Sequence, residues 1–161
     1  EEGQKLLDAA GYKRYEISAY AREGKHAQHN LNYWRFGDYI GIGAGAHGKL
    51  SYNDKIMRRS KRRMPNEYME KQSKLASQEV IATEQLPLEY MLNVLRLTGG
   101  FELEGFVERT GLAETVIRNQ LNALIAKGLL SESIEGSKKI IIPTEQGMQF
   151  HNELVASFIP E

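Results

Sequence analysis

Leu129-Leu130-Ser131-Glu132-Ser133-Ile134, then Glu135-Gly136-Ser137, then Lys138-Lys139-Ile140-Ile141-Ile142, is the stretch whose reading decides the fold. Two apolar-rich runs, residues 129–134 and 139–142, flank a glycine-containing turn, the pattern of a β-hairpin. Upstream, residues 114–127 place Val116, Ile117, Leu121, Leu124 and Ile125 on one helical face, and Gly128 ends the run as a residue that tolerates a left-handed backbone. A short helix over 101–109 precedes it. Before that, a helix from about Leu88 carries Met91, Leu92, Val94, Leu95 and Leu97 and closes at Gly99-Gly100. Downstream, Thr144 is placed to cap a last helix reaching about Phe158. Helix, helix, helix, two-stranded wing, helix is winged-helix order, so residues 85–161 are expected to form a mainly helical winged-helix domain.

Working back towards the N-terminus, Pro65 opens a helical pattern that Tyr68, Leu75, Val80 and Ile81 continue to about Ala82, giving an expected linker helix over residues 65–84. Residues 49–52 and 55–59 pair as a hairpin about Asn53-Asp54. Residues 39–46 suggest a buried strand running into a glycine turn, and the polar residues 19–28 a loop. Leu6, Leu7 and Ala10 mark a short helix that stops at Gly11, followed by a strand over 12–18 with Tyr15 and Ile17 in alternation. Helix followed by strand is half of an α/β unit and needs neighbours to cover both faces. Residues 1–64 are therefore expected to be incomplete, to expose apolar edges at Tyr15, Ile17 and Ile40, and to self-associate or exchange elements between chains. With a helical pattern in its first residues and no initiator methionine, the chain reads as cut from something longer.

A formal net charge of +0 and a pI of about 7.2 give no overall electrostatic reason to seek nucleic acid or an anionic membrane. The sequence has no cysteine, which excludes disulfides, thiolate metal sites and an iron–sulfur cluster held by this chain alone. No apolar run is long enough for a membrane span or resembles a signal peptide, so a cytoplasmic protein is expected. The segment over residues 114–127 offers only Arg118 and Lys127 against Glu114, poor equipment for phosphate neutralisation, and DNA is not the expected partner.

The chemistry concentrates between His29 and Gly48. His29 and Asn30 beside Tyr33 and Trp34 set an imidazole and an amide against a broad aromatic surface, suited to a planar, metal-containing ligand, or alternatively to closing a core. Gly41-Ile42-Gly43-Ala44-Gly45-Ala46-His47-Gly48 superficially matches a dinucleotide fingerprint, but residues 49–59 read as extended rather than as the long helix such a site needs. The glycine stretch reads either as a tight turn or as bare backbone flanking a cofactor, with His47 towards it. The basic run Arg58 to Arg63 reads as a solvated edge strand. Glu16, Glu23 and Asp38 are too scattered for an acid–base pair.

Tyr15-Glu16-Ile17-Ser18-Ala19-Tyr20-Ala21-Arg22, His29-Asn30-Leu31-Asn32-Tyr33-Trp34, and Gly41 through Gly48 resemble consecutive signatures of the oxygen-independent coproporphyrinogen III oxidase-like radical SAM proteins. Residues 110–112 and 117–121, with the wing and residues 144–147, are similar to that family's C-terminal domain. The HNxxYW pattern resembles the haem chaperone branch. The resemblance implies the tail end of a radical SAM partial (β/α) barrel followed by the winged helix, an α+β chain overall. It implies a parent whose missing N-terminal barrel holds a [4Fe–4S] cluster and S-adenosylmethionine. It also implies haem association at His29, Asn30, Tyr33 and Trp34, and a place near S-adenosylmethionine for Gly43, Gly45, Ala46 and His47. Delivery of haem to haem-accepting proteins is the implied function, with porphyrinogen oxidation the alternative and a nucleic-acid-binding winged-helix regulator the third.

Overall fold

A computed structural model describes residues 2–160 and is α+β. The chain divides into two compact units, residues 2–36 with 87–160, and residues 37–86.

In the first unit, α1 (Glu2–Ala9) ends at Gly11, whose φ of +80° is the left-handed value expected of that glycine. The strand β1 (Lys13–Glu16) is shorter than the sequence suggests and pairs antiparallel with β2 (Ala19–Ala21), so the expected loop over 19–28 begins as the return arm of a hairpin. An isolated bridge joins Glu16 to Leu97. Helix α4 (Leu86–Val94) sits at the centre of the core, burying Tyr90, Met91 and Val94. The strand β6 (Phe101–Glu102) and helix α5 (Leu103–Thr110) replace the single helix expected over 101–109. Helix α6 (Thr115–Ala126) buries Ile117, Leu121 and Leu124.

The hairpin read from residues 129–142 is β7 (Leu130–Glu135) and β8 (Lys138–Pro143), with β8 central in the order β6-β8-β7. Apolar alternation on β8 points Ile141, which is fully buried, at the helices. Thr144 Oγ1 accepts from the Gly147 backbone N–H at 3.0 Å and so caps α7 (Glu145–Gln149). Phe150, at ψ 36°, separates α7 from α8 (His151–Ala156), where one continuous helix was expected.

The second unit corrects two expectations. Residues 65–82 are not one helix: α3 (Pro65–Glu70) is short, and β5 (Leu75–Val80) is a strand. It pairs with β4 (Lys55–Lys61), which pairs with β3 (His47–Tyr52), so the basic run lies largely in the central strand and not at an edge. One of its charges is matched by register, Arg58 facing Glu79, and Ser60 Oγ lies 2.7 Å from Ser77 Oγ. The β3–β4 turn is at Asn53-Asp54, with φ of 49° and 58°, both left-handed as a two-residue hairpin loop requires. Residues 39–46 form no strand; Tyr39 makes one bridge to Lys49, and Ile40 and Ile42 are exposed. Tyr15 and Ile17, in the first unit, are half-buried.

Asp38 ties this loop to the sheet, accepting from the Ser51 backbone N–H at 2.8 Å, Ser51 Oγ at 2.9 Å and the buried Lys49 Nζ at 3.0 Å. Burial pushes its carboxyl up, but the Ser51 and Lys49 hydrogen bonds outweigh it and hold the carboxyl below its usual value. A depressed carboxyl stabilises the fold above its unfolded pKa and loses that contribution as pH falls through the folded value. Acid unfolding below about pH 4 is therefore expected to be shallower in Asp38→Asn, read from urea midpoints across pH. Parallel pH profiles for the variant and the parent chain contradict it.

Candidate functional site

The His29 stretch is helical. Helix α2 (Gln28–Trp34) begins after Ala27 and is tied off where the Arg35 and Phe36 backbone N–H groups donate to Leu31 and Tyr33 carbonyls. Phe36 takes a left-handed φ of 56°, a costly choice for a bulky residue. Its buried ring packs edge-on against Tyr90 at 5.5 Å, which anchors the end of α2 in the core.

Spacing along the helix sorts the motif onto adjacent ridges. His29 and Tyr33 share one, with their rings edge-to-face at 6.3 Å, and His29 is exposed. Asn30 and Trp34 share the next, both half-buried. The Trp34 ring lies under the Arg96 guanidinium, 4.2 Å from its centroid. Arg96 Nη2 donates to Glu16 Oε2 at 3.2 Å, and Glu16 is 2 % exposed. The other Glu16 oxygen accepts from the Ser18 backbone N–H at 3.1 Å and Ser18 Oγ at 3.0 Å. Trp34 Nε1, Arg96 Nε and His151 Nε2 are buried without a partner. Burial, and then the Arg96 charge, push His151 below its usual pKa.

The third ridge, Leu31 and Arg35, faces a cleft of about 340 Å³ bordered by Tyr15, His26 and Gly99-Gly100. Here His26 stacks on Tyr15 with centroids 4.7 Å apart. The four motif residues therefore do not converge on one pocket: His29 is exposed and Tyr33 on its ridge is half-buried, while Trp34 is held from within by Arg96.

Gly43, Gly45, Ala46 and His47 belong to the other unit. Gly43, at φ +100°, has open space where a side chain would stand, and Gly45 donates its N–H to the Arg62 carbonyl at 2.8 Å. Gly41 serves the loop itself, since a Cβ there would overlap the His47 carbonyl. His47 is exposed at the start of β3. Among the described residues no group of three or more His, Asp or Glu is placed to hold a metal ion. No described helix is long and apolar enough to cross a membrane.

Residues 81–150 match the family model of the HemN C-terminal domain. Over its whole length the chain is 46 % identical to the heme chaperone HemW of Escherichia coli (strain K12). The chain carries a HemN C-terminal domain and is similar along its whole length to part of HemW. It spans 42 % of that HemW relative and 40 % of the Bacillus subtilis (strain 168) heme chaperone HemW, to which it is 31 % identical over 96 % of its own length. Coproporphyrinogen III oxidase (HemN) from Escherichia coli, a radical SAM enzyme, matches 98 % of this chain and 39 % of its own at a TM-score of 0.62 and 14 % identity, a likeness of fold.

The sequence reveals the motif helix's chemistry but not what fixes it, and Glu16 counts there only as one of three scattered acids. The available signal is a carboxylate between Tyr15 and Ile17 in an apolar strand, which demands a partner, and Arg96, the one cation between Leu88 and Leu97.

Proposed function

We propose that the chain is part of a heme chaperone that binds haem and passes it to haem-accepting proteins in the cytoplasm. The observation that carries this is an HNxxYW helix with an exposed His29 imidazole in a chain 46 % identical, end to end, to a heme chaperone HemW. A neutral imidazole is a good iron ligand, and the Tyr33 edge restricts how the ring turns. Asn30 and Trp34, the latter fixed by Arg96, would contribute from the adjacent ridge of the same helix rather than from one closed pocket with His29.

In this reading residues 1–64 continue a radical SAM partial barrel, to whose β3–β4 hairpin β5 adds a third strand, and 85–161 are a winged helix. Three helices, a hairpin with a third short strand, and the Thr144-capped α7 followed by α8 support that last assignment. Gly43, Gly45, Ala46 and His47 would border S-adenosylmethionine, and the open space beside Gly43 suits a close ligand approach. The [4Fe–4S] cluster supplies the electron for radical chemistry when bound, and the sequence, with no cysteine, provides none of its thiolates. Porphyrinogen oxidation is the weaker reading, since it draws on a likeness of fold. For DNA, Arg118 is already engaged by Glu132 at 3.0 Å and Glu114 at 3.4 Å.

The test is a haem titration of this chain followed by Soret absorbance, with a low-salt DNA-shift control. Saturable binding near one equivalent is expected, weakened about tenfold or more by His29→Ala, a loss of roughly 1.4 kcal/mol or more. Wild-type-like binding by His29→Ala overturns the role of that imidazole.

A further inference from the structure

Behind α2, on the ridge away from His29, a second cleft of about 460 Å³ adjoins the Tyr15–His26 cleft, and the two share Arg35, Leu97 and Gly99-Gly100. Both volumes fall in the usual range for ligand sites, ~300–1,000 Å³. The walls of the larger one are apolar at Val94, Leu97, Phe101 and Ile140 and cationic at Arg35 and Arg109.

The deciding feature is Tyr90. It is 2 % exposed, lines this cleft, and its hydroxyl makes no hydrogen bond to another described residue. The ring is buried but the hydroxyl oxygen reaches the solvent of the cleft, so it is free to donate to an acceptor that enters there. Gly105 leaves the way open: a Cβ at that position would stand 3.1 Å from the Tyr90 hydroxyl. Burial pushes the phenol far above its usual pKa, so it stays a neutral donor. A neutral donor beside guanidinium groups, above an apolar wall, is complementary to a carboxylate on an apolar body.

We infer that this cleft binds the carboxylate-bearing edge of a tetrapyrrole, with Arg35 and the Tyr90 hydroxyl holding a propionate-type side chain. The choice of a tetrapyrrole rests on the heme chaperone reading; the complementarity to a carboxylate comes from the cleft alone. The ring then has the stacked Tyr15–His26 pair and Leu31 beside it in the adjoining cleft. Arg109 adds attraction. Glu102 is occupied by Lys138 Nζ at 2.8 Å, whereas Glu108 opposes an anion.

The test uses iron-free protoporphyrin IX and its dimethyl ester, so that no imidazole–iron bond contributes, titrated against this chain by quenching of Trp34, the single tryptophan. The acid is expected to bind about tenfold or more tighter than the ester. Tyr90→Phe, which removes only an unpartnered hydroxyl, and Arg35→Gln, at an exposed position, should each close that gap, and Glu108→Gln should widen it. Equal binding of acid and ester, or a gap untouched by Tyr90→Phe and Arg35→Gln, overturns the inference. Haem binding that depends on His29 without any binding of the free acid overturns it too, while leaving the chaperone reading in place. A variant-sensitive gap in a chain whose haem binding ignores His29 upholds the cleft and removes the His29 ligation.

Discussion

Phe106→Ala is expected to lower the unfolding free energy by about 3–5 kcal/mol, read as a large fall in the urea midpoint. Phe106 is fully buried, and its ring meets Tyr90 edge-to-face at 5.3 Å. Tyr90 receives Phe101 at 5.8 Å and Phe36 at 5.5 Å in the same manner, so one ring is the hub of three aromatic contacts. Each such contact adds roughly 0.5–1.5 kcal/mol beyond area burial, and truncating Phe106 also leaves a cavity against the hub. Because Phe36 ends α2 and is held by the same hub, the variant should loosen the motif helix. Its haem affinity should fall although Phe106 lies within the core. Phe106→Leu, which keeps most of the volume, should retain most of the stability. A loss below about 1 kcal/mol for the alanine variant would mean that this cluster does not hold the unit together.

The parts legible in the sequence are those in which side-chain periodicity and turn chemistry agree. Residues 114–127 and 129–142 form a helix and a hairpin because Ile117, Leu121 and Leu124 repeat at helical spacing and Gly128 and Gly136 supply positive φ. Residues 75–80 mislead because their strand character comes from backbone pairing with β4. Five of the six residues are exposed, so burial imposes no alternation, and Leu75, Val80 and Ile81 fit a helical count equally well. The apolar residues of 39–46 mislead in the opposite sense, since Ile40 and Ile42 are exposed in a loop closed by glycines. For the candidate site, residue types are readable and convergence is not. That His29 points outward while Trp34 is clamped depends on Arg96, some sixty residues distant in sequence, and no local pattern encodes such a pairing. The Tyr90 cleft is hidden for the same reason: Arg35, Tyr90, Gly105 and Arg109 come from the end of α2, α4 and α5, far apart in sequence.

Arg96→Met should cost about 3 kcal/mol of stability and shift the Trp34 emission to longer wavelength, because one guanidinium both stacks on that indole and neutralises Glu16. The carboxylate is 3 % exposed and the arginine 25 %, so removing the cation leaves a charge that water barely reaches, eased only by the Ser18 donors. Putting Glu16→Gln into the Arg96→Met background should recover much of the stability, since an amide buried beside Ser18 costs far less than a lone anion. The same double variant should not recover the Trp34 emission or the haem affinity, because the stacking cation is still missing. That split is what identifies Arg96 as a positioning residue for the HNxxYW helix, acting on haem through Trp34. If the double variant regains both stability and affinity together, the arginine matters only as the counter-charge of Glu16. If Arg96→Met leaves Trp34 emission and the urea midpoint unchanged, the clamp holds neither the indole nor the β1–β2 hairpin.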